Sequence, residues 1–412
     1  MPSMRPIAPW LGIFFVMLSA RGHCQEAIRM SLASEQAAEA QNPTVGSNYY
    51  NVQAGPVYLR FQGEMGIELN DNVNYTETHR RADVILRPVL NTDLLWPLTE
   101  RNNLSLISGL GYVDYLRTST LDHPYVAPNS KVAFKFYSGD FVFELHDRFS
   151  AVDNVLQTPS LSGTGNYFQI ENIAGADATW DLNKLILSMS FDHDTVSVLN
   201  GPFASFTHDS ELFQQRSSFL VNSTDRVGLE LEGGVRAYDQ THLENNTEFA
   251  AGPFYEARFS PYVQAKMSGG FVAHYFTPTS FSALREFDSY YVELTLNHEL
   301  NKWFSHWLAA GRRIEGGTPN ASLYVCDYLY YQANIYAVKN TRFGIHFSYD
   351  HGDTSGGLEE VFDRYGAGFY VSRSISQNLT ANVTYEFWHK DSDLYNYGYV
   401  QNRLILDATY RF

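Results

Sequence analysis

Val57–Leu69 reads VYLRFQGEMGIEL, and apolar side chains occupy nearly every second position of this stretch. Alternate residues of a β-strand point to opposite faces of the sheet, so the stretch predicts a strand with one oily face and one wet face. The same period recurs in residues 227–235, 290–296 and 379–387. Strands of about 12 residues are roughly twice the globular average and match a tilted membrane crossing of about 9 to 11 residues. The alternation therefore favours a membrane-type barrel over a soluble sandwich.

The spacing of the alternating segments predicts an all-β fold, a single closed antiparallel transmembrane β-barrel of about 18 strands, or 16 if one hairpin is wrongly divided. The predicted strands cover residues 57–69, 83–95, 103–117, 130–138, 140–149, 166–180, 184–195, 212–221, 226–238, 247–259, 262–276, 288–299, 303–314, 322–337, 341–350, 362–373, 378–389 and 397–412. Connections after even-numbered strands are short, apart from the longer link Trp96–Asn102. Several connections after odd-numbered strands are long and polar, as in Ser150–Gly165, Val196–Glu211 and His351–Val361. Short periplasmic turns and long extracellular loops are typical of outer-membrane barrels. Pro88 lies inside the second predicted strand, where it indicates a bulge or a shifted register.

The composition excludes one class of partner. The chain has 45 acidic and 29 basic side chains among 412 residues, which gives a net charge of −16. A protein that binds nucleic acid carries a basic surplus to neutralise phosphates, so no nucleic-acid partner is expected. Beyond the N-terminal region no run of 18 apolar residues occurs, and no membrane-spanning helix is predicted.

The N-terminal region has the features of a secretory signal peptide. Arg5 precedes the apolar run Trp10–Leu18, and small residues follow. We therefore expect residues 1–24 to be a signal peptide, residues 25–54 a periplasmic tail, and residues 55–412 the barrel. Glu26–Gln41 could form a short amphipathic helix within that tail.

The carboxyl end carries the most specific pattern. Leu404, Leu406, Ala408, Tyr410 and Phe412 share one face of the last predicted strand, and the chain ends on Phe412. The sequence here resembles Gram-negative outer-membrane β-barrel proteins, whose final strand ends in Phe preceded by aromatic or apolar residues at alternate positions. The resemblance implies that the barrel-assembly machinery recognises Tyr410 and Phe412. It also implies an outer-membrane location, in contact with lipid and lipopolysaccharide.

A second resemblance concerns the start of the barrel. Asn51–Asn72 reads NVQAGPVYLRFQGEMGIELNDN, and the stretch and the general layout of residues 50–412 are similar to the β-barrel porin 2 family. This resemblance implies a fold far better than it implies a substrate.

The wet faces of the predicted strands carry charges of both signs. We expect the following residues to line the lumen: Arg60, Glu64, Glu68, Arg87, Glu144, Arg148, Glu230, Glu232, Arg236, Glu293, Arg342, Arg364, Glu386, Arg403 and Asp407. Mixed charges orient water and small polar solutes rather than trap one ion. A barrel of 16 to 18 strands leaves an aqueous channel unless it is plugged. The expected function is a porin-like channel for passive diffusion of small hydrophilic solutes or ions, and the alternative is a structural or export barrel for polysaccharide or surface material.

The predicted loops would narrow the channel and place negative charge at its mouth. Ser150–Gly165 and Val196–Glu211 are the candidates for an inward-folded constriction. Much of the acidic excess falls in predicted loops, at Glu244, Glu248, Glu359, Glu360, Asp363, Asp391 and Asp393. An electronegative mouth would favour cations, whereas acidic loops could equally bind divalent cations among neighbouring lipopolysaccharide.

Catalytic and metal-binding patterns are weak. His351–Gly357 contains Ser355 and His351, and a glycine-rich external loop explains it as well as a serine nucleophile does. Asp192–Asp194 and Asp391–Asp393 are interpreted as solvated acidic turns, because neither has the spacing of a calcium loop. The histidines are scattered, without a zinc-binding motif. We therefore predict no enzyme, no metal site and no cofactor, and the oligomeric state stays open.

Overall fold

The computed structural model describes residues 50–153, 155–199, 201–240, 243–279, 284–318 and 321–412. The predicted signal peptide, the predicted helix at residues 26–41 and most of the predicted tail lie outside these residues. Within the described part of the chain, no helix is long and apolar enough to cross a membrane.

Antiparallel strands make up nearly all of the described chain. Their bounds are β1 Val52–Ala54, β2 Val57–Asn70, β3 Asp83–Pro97, β4 Asn102–Tyr115, β5 His123–Val126, β6 Lys131–Ser138, β7 Phe141–Asp153, β8 Phe168–Asp181, β9 Leu185–Val198, β10 His208–Leu220, β11 Asp225–Tyr238, β12 Asn246–Ser260, β13 Val263–Phe276, β14 Glu286–Asn301, β15 Phe304–Thr318, β16 Ala321–Val338, β17 Thr341–Gly357, β18 Val361–Ser374, β19 Leu379–Ser392 and β20 Tyr399–Arg411. Short 3-10 helices occupy Ser119–Leu121, Val155–Gln157 and Gly201–Phe206 in the connections.

The wall is a closed barrel of eighteen strands. Each long strand pairs with its neighbours along the chain, and β20 closes the ring by pairing with β2 from Gln62–Arg411 to Asn70–Arg403. β1 is a short addition to β2. β5 and β6 are two pieces of one wall strand, because β5 pairs with the C-terminal part of β4 and β6 pairs with its N-terminal part. The predicted closed barrel of about 18 strands is confirmed, and the alternative of 16 strands is wrong.

Exposed apolar rows cover one face of the wall. In β2 the outward residues Met65, Ile67 and Leu69 are all exposed, and similar rows recur on strand after strand. Exposing apolar surface to water is unfavourable by about 25 cal/mol per Å², and soluble monomers rarely expose patches beyond a few hundred Å². A continuous outward apolar band is therefore typical of a transmembrane barrel, in which lipid covers it.

Charged and polar side chains fill the opposite, inward face. In β2 these are the even-numbered positions, among them Arg60 and Glu68, which are buried. Residues that pair across two neighbouring strands lie on the same face of the sheet. The pairing registers therefore show which residues of each next strand face inward, around the whole ring.

The two rims differ as the sequence predicts, although several strands are longer than expected. Short turns join the strands on one rim, and Gly139, Asn183 and Asn340 adopt the left-handed conformation there. On the long-loop rim, β7 continues to Asp153 and β9 to Val198, so the connections are only residues 154–167 and 199–207. β17 continues to Gly357, so the loop predicted at His351–Val361 is wrong. Its residues are held in the wall because β16 extends equally far beside them.

Pro88 is accommodated without a shift in register. It pairs with Met65 of β2 inside an unbroken ladder, and the β3–β4 register is the same before and after it. The β3–β4 ladder omits only Arg87 and Pro88, because proline has no N–H to donate. The carbonyl oxygen of Pro88 instead faces Gly111, where a Cβ would overlap it. The predicted bulge or register error is therefore wrong.

Aromatic side chains gather at the short-turn rim. Trp96, Trp180 and Trp303 are exposed beside short turns. Phe141 stacks on Trp180 with ring centroids 4.9 Å apart, and both point outward. Aromatic girdles of this kind mark the membrane interface in β-barrels.

Candidate functional site in the barrel interior

The registers place every residue of the predicted lumen set on the inward face of the wall. That this face lines a water-filled path stays a prediction. The structure adds the partners of these side chains, which fall into separate ionic networks.

One network joins the two strands that close the ring. Glu68 accepts hydrogen bonds from Arg403 Nε at 2.8 Å and Nη2 at 3.0 Å, and Arg87 Nη2 lies 3.0 Å from the same carboxylate. Arg403 also lies 3.4 Å from Glu386 of β19. Glu64 and Asp407 lie beside this network on β2 and β20. Arg60 pairs separately with Asp93. Charge pairs therefore bridge the seam between β2 and β20 from inside.

A second network lies on β16, β17 and β18. Arg364 donates to Asp350 through Nε at 3.0 Å and Nη2 at 2.7 Å, and the Tyr330 hydroxyl donates to the other Asp350 oxygen at 2.6 Å. Both charged residues are buried. Arg342 stacks over the Tyr370 ring at 5.1 Å in the same part of the wall. Buried charges held this way are fixed in orientation.

A third network lies on β10–β13. Arg216 contacts both Glu230, at 3.4 Å, and Glu256, and Lys266 lies 3.7 Å from Glu230. Glu232 and Glu293 are partly exposed on the inward face of β11 and β14. This side of the interior therefore carries partly exposed carboxylates as well as the buried Glu230.

The described part of the connection from β7 to β8, residues 155–167, crosses the interior. It joins β7 to β8, yet Arg364 Nη1 of β18 donates to the Leu156 carbonyl oxygen at 2.7 Å. Lys390 Nζ of β19 donates to Ser162 Oγ at 3.0 Å and to the Ser160 carbonyl oxygen at 3.4 Å. Lys390 also pairs with Glu360 at 2.8 Å. The loop is therefore tethered to a distant part of the ring, and a constriction at this predicted segment is supported by its contacts.

Apolar side chains hold this loop against its neighbours. Val155, Leu161 and Tyr167 pack with Phe206 and Leu243 of the next two long connections. Burial raises the pKa of the Tyr167 phenol, so its hydroxyl stays neutral. The second predicted constriction segment, now residues 199–207, thus contributes to the same cluster.

The tip of the β15–β16 hairpin also bends inward. β14 and β15 pair only as far as Val292–Arg312, whereas β15 and β16 pair on to Thr318–Ala321. Beyond that point Ile314 and Leu323 pack on Val272 and Phe276 of β13. The Gly316 carbonyl oxygen accepts a hydrogen bond from Arg236 of β11. The sequence pattern did not reveal this bend, because both hairpin strands alternate normally.

Most of the predicted acidic mouth residues are not in solvated loops. Glu244 is buried, and Glu360 is buried against Lys390. Glu248 lies on β12, Asp363 on β18 and Asp391 on β19. Only Glu359 and Asp393 of the predicted set are exposed outside the strands. The prediction of loop positions is therefore wrong for Glu248, Asp363 and Asp391, which lie on strands. Glu244 and Glu360 lie in loops as predicted, but they are buried.

The weak catalytic pattern also has a different setting. His351 and Ser355 both lie on β17, where four residues span about 13 Å, too far for a hydrogen bond between them. His351 Nδ1 instead lies 3.0 Å from Asp363 Oδ1 on the next strand. Cys326 is buried in β16 beside Tyr324 and Phe362.

Asp192–Asp194 is not a turn, which corrects the prediction. The segment lies within β9, with Asp192 and Asp194 buried on the inward face and His193 outside beside Glu211. Asp192 Oδ1 lies 2.8 Å from His146 Nε2 of β7. Asp177 of β8 lies 3.1 Å from the other imidazole nitrogen. Sequence analysis missed this cluster, because its members come from three strands and no local motif unites them.

No protein-family model and no curated protein matches this sequence, so the resemblance to the β-barrel porin 2 family is not confirmed. Solved structures share the fold. OccK2 (OpdF) of Pseudomonas aeruginosa is similar with a TM-score of 0.52 and 11% identity, over 86% of this chain and 98% of that chain. OccK1 (OpdK) of the same organism is similar with a TM-score of 0.51 and 10% identity, over 86% and 99%. A further structure of OccK2 (OpdF), in complex with glucuronate, has a TM-score of 0.51 at 10% identity, over 86% and 98%.

Proposed function

We propose that this protein is an outer-membrane channel through which small hydrophilic solutes diffuse passively. The closed eighteen-strand wall supports this proposal, since a barrel of that size encloses more space than its own inward side chains fill. The inward rows of charged residues and the fold shared with OccK1 and OccK2 support it too.

The observation that carries the proposal is the tethered loop at residues 154–167. Its hydrogen bonds to Arg364 and Lys390 reach across the interior, so it narrows the barrel at that level. A narrow level lined by charged side chains selects solutes by size and by charge without energy coupling.

Liposome swelling with sugars of graded size tests this function. We expect rapid swelling with small sugars and a sharp decline as the sugar grows. Protein-containing liposomes that show no uptake of the smallest sugar would contradict the proposal.

The same experiment addresses a second candidate, a structural or export barrel. The inward-bent β15–β16 hairpin favours it, because together with the two inward loops it fills much of the long-loop end. A barrel sealed in this way would give no swelling until those segments moved.

We further propose a mild cation preference, on the net charge of −16 and the accessible carboxylates Glu232 and Glu293. Reversal potentials across a planar bilayer under a KCl gradient test the preference. A potential of the sign expected for chloride would contradict it.

The environment of the barrel is proposed on the same basis. The outward apolar band requires lipid, and lipopolysaccharide and the barrel-assembly machinery are the partners expected of an outer-membrane barrel. Fractionation of Gram-negative cells that express the chain tests its location.

A further inference from the structure

His146, Asp177 and Glu144 form a compact buried cluster on the inward face of β7 and β8. One nitrogen or oxygen atom from each lies within 4.8 Å of the other two. The His146 side chain is fully buried, and those of Glu144 and Asp177 are more than nine-tenths buried. Buried charged side chains are generally paired with other charges or bound to a metal ion.

Two atoms of the cluster lack hydrogen bonds. His146 Nδ1 and Asp177 Oδ2 face each other at 3.1 Å, and neither makes a hydrogen bond of acceptable geometry. Buried polar atoms in native proteins are nearly always satisfied, so an orphaned pair requires an explanation such as an ion.

The other imidazole nitrogen is already oriented. His146 Nε2 lies 2.8 Å from Asp192 Oδ1 of β9, a distance at which Nε2–H donates to the carboxylate. A metal-binding histidine typically donates its second N–H to a carboxylate, which fixes the tautomer and leaves the other nitrogen free for the metal. The Asp192 contact therefore directs the Nδ1 lone pair toward Asp177.

The spacing agrees with ligation of a small divalent ion. Bonds of about 2.0 to 2.2 Å in tetrahedral geometry separate two ligand atoms by about 3.3 to 3.6 Å. The Nδ1–Oδ2 distance of 3.1 Å needs only a small adjustment to reach that value. Nitrogen and carboxylate donors suit zinc and neighbouring first-row ions.

Glu144 contributes the third donor in a crowded setting. Lys131 and Lys135 each approach one of its oxygens, Lys135 at 3.0 Å. Each carboxylate oxygen has two lone pairs, so one can face an ammonium while another faces the ion. The two lysines also offset part of the negative charge that the three carboxylates bring together.

We propose that His146 Nδ1, Asp177 and Glu144 bind one divalent transition ion of the zinc type, with Asp192 as the residue that positions His146. A fourth coordination position remains for water from the barrel interior. Binding needs no redox step: the ion takes the Nδ1 lone pair and carboxylate oxygens, and any proton on Nδ1 leaves to water as the ion binds.

Equilibrium dialysis of the detergent-solubilised, EDTA-stripped full chain against Zn²⁺ tests the proposal, with metal counted by mass spectrometry. We expect one zinc per chain. His146→Ala should abolish this binding, Asp177→Asn should weaken it at least tenfold, and Asp192→Asn should weaken it about 10- to 100-fold. Co²⁺ in place of zinc should give visible absorption bands that are lost in the same variants.

His193→Ala is the matched control, because His193 is adjacent to Asp192 in sequence but lies on the outer face. This variant should keep one zinc per chain. If His146→Ala fails to fold, the isosteric asparagine variants carry the test. Zinc content equal in the unmodified chain, Asp177→Asn and Asp192→Asn, or no zinc in any of them, would overturn the proposal and identify His146 as an imidazolium held between two aspartates.

Discussion

Glu68 illustrates how single residues maintain the closure of the barrel. It is only 1% exposed and faces two arginines, Arg403 and Arg87, from the strands on either side of β2. A buried ion pair adds little net stability compared with an apolar pair, but removal of one partner leaves an uncompensated charge. The seam therefore depends on the pair being complete.

Replacement of one partner in this pair should destabilise the barrel. Arg403→Met leaves Glu68 with Arg87 alone, and we expect a loss of about 3 kcal/mol in the free energy of unfolding. Urea unfolding in detergent, followed by the shift of the folded band on SDS gels, measures the loss. Glu211→Gln is the control, since its pair with His193 is exposed and contributes under about 1 kcal/mol. Equal effects of the two substitutions would contradict this account of the seam.

The terminal aromatic residues lead to a prediction about assembly in cells rather than about stability. Phe412 is 61% exposed, points outward, and packs edge to face with Tyr410 at 5.4 Å. Its removal should therefore leave the folded barrel almost unchanged while it lowers the amount assembled in cells several-fold.

Phe412→Ala is compared with Phe259→Ala, another aromatic residue exposed on the outer surface. Both should refold equally well in detergent, and only Phe412→Ala should reduce the folded fraction in outer-membrane preparations. A normal cellular yield of Phe412→Ala would show that Phe412 is not an assembly signal.

At the scale of elements, the inward segments are held by contacts distant in sequence. The loop at residues 154–167 is fixed by side chains more than 200 positions further along the chain. Arg364 donates hydrogen bonds both to Asp350 and to this loop, so the wall and the constriction belong to one hydrogen-bond network. Loop position is thus coupled to the integrity of β18 and β19.

Loss of the Lys390 tether should release the loop. Hydrogen bonds to a charged group contribute about 1.5–3 kcal/mol, so Lys390→Met should raise the population of loop-open channels about 10- to 150-fold. We expect larger or noisier single-channel currents in planar bilayers. Lys339→Met, in an exposed short turn, is the control and should behave like the unmodified chain. Identical traces for both variants would contradict a constriction held by Lys390.

At the scale of the whole molecule, stability resides in the closed ladder. Among the residues that the structure describes, the ring has no free edge along the membrane-spanning part of the wall, because β2 and β20 pair over nine residues and every other wall strand has two neighbours. Detergent can replace lipid on the outer face without access to these backbone hydrogen bonds.

The intact chain should therefore remain folded in SDS at room temperature. It should migrate on gels differently from the boiled sample, and this shift should need no ion or ligand. A single unfolded band in unheated samples would contradict a closed, detergent-resistant barrel.

The sequence by itself predicted the class of fold, a strand count of about 18 with 16 left open, and which residues of each strand share a face. Period-two alternation is a local property, and a slip of one residue would turn an entire apolar row inward, so the pattern fixes the register. It placed Arg60, Glu230 and Arg403 on the inward face without any knowledge of their partners.

Only the tertiary structure decided which inward residues meet. His146, Asp177 and Asp192 come together through two successive registers, and Lys390 reaches Ser162 only because the ring closes. Such contacts depend on the curvature of the whole wall and on where strands bend, as β15 does after Arg312. Neither the curvature nor the bends change the period-two pattern of the sequence.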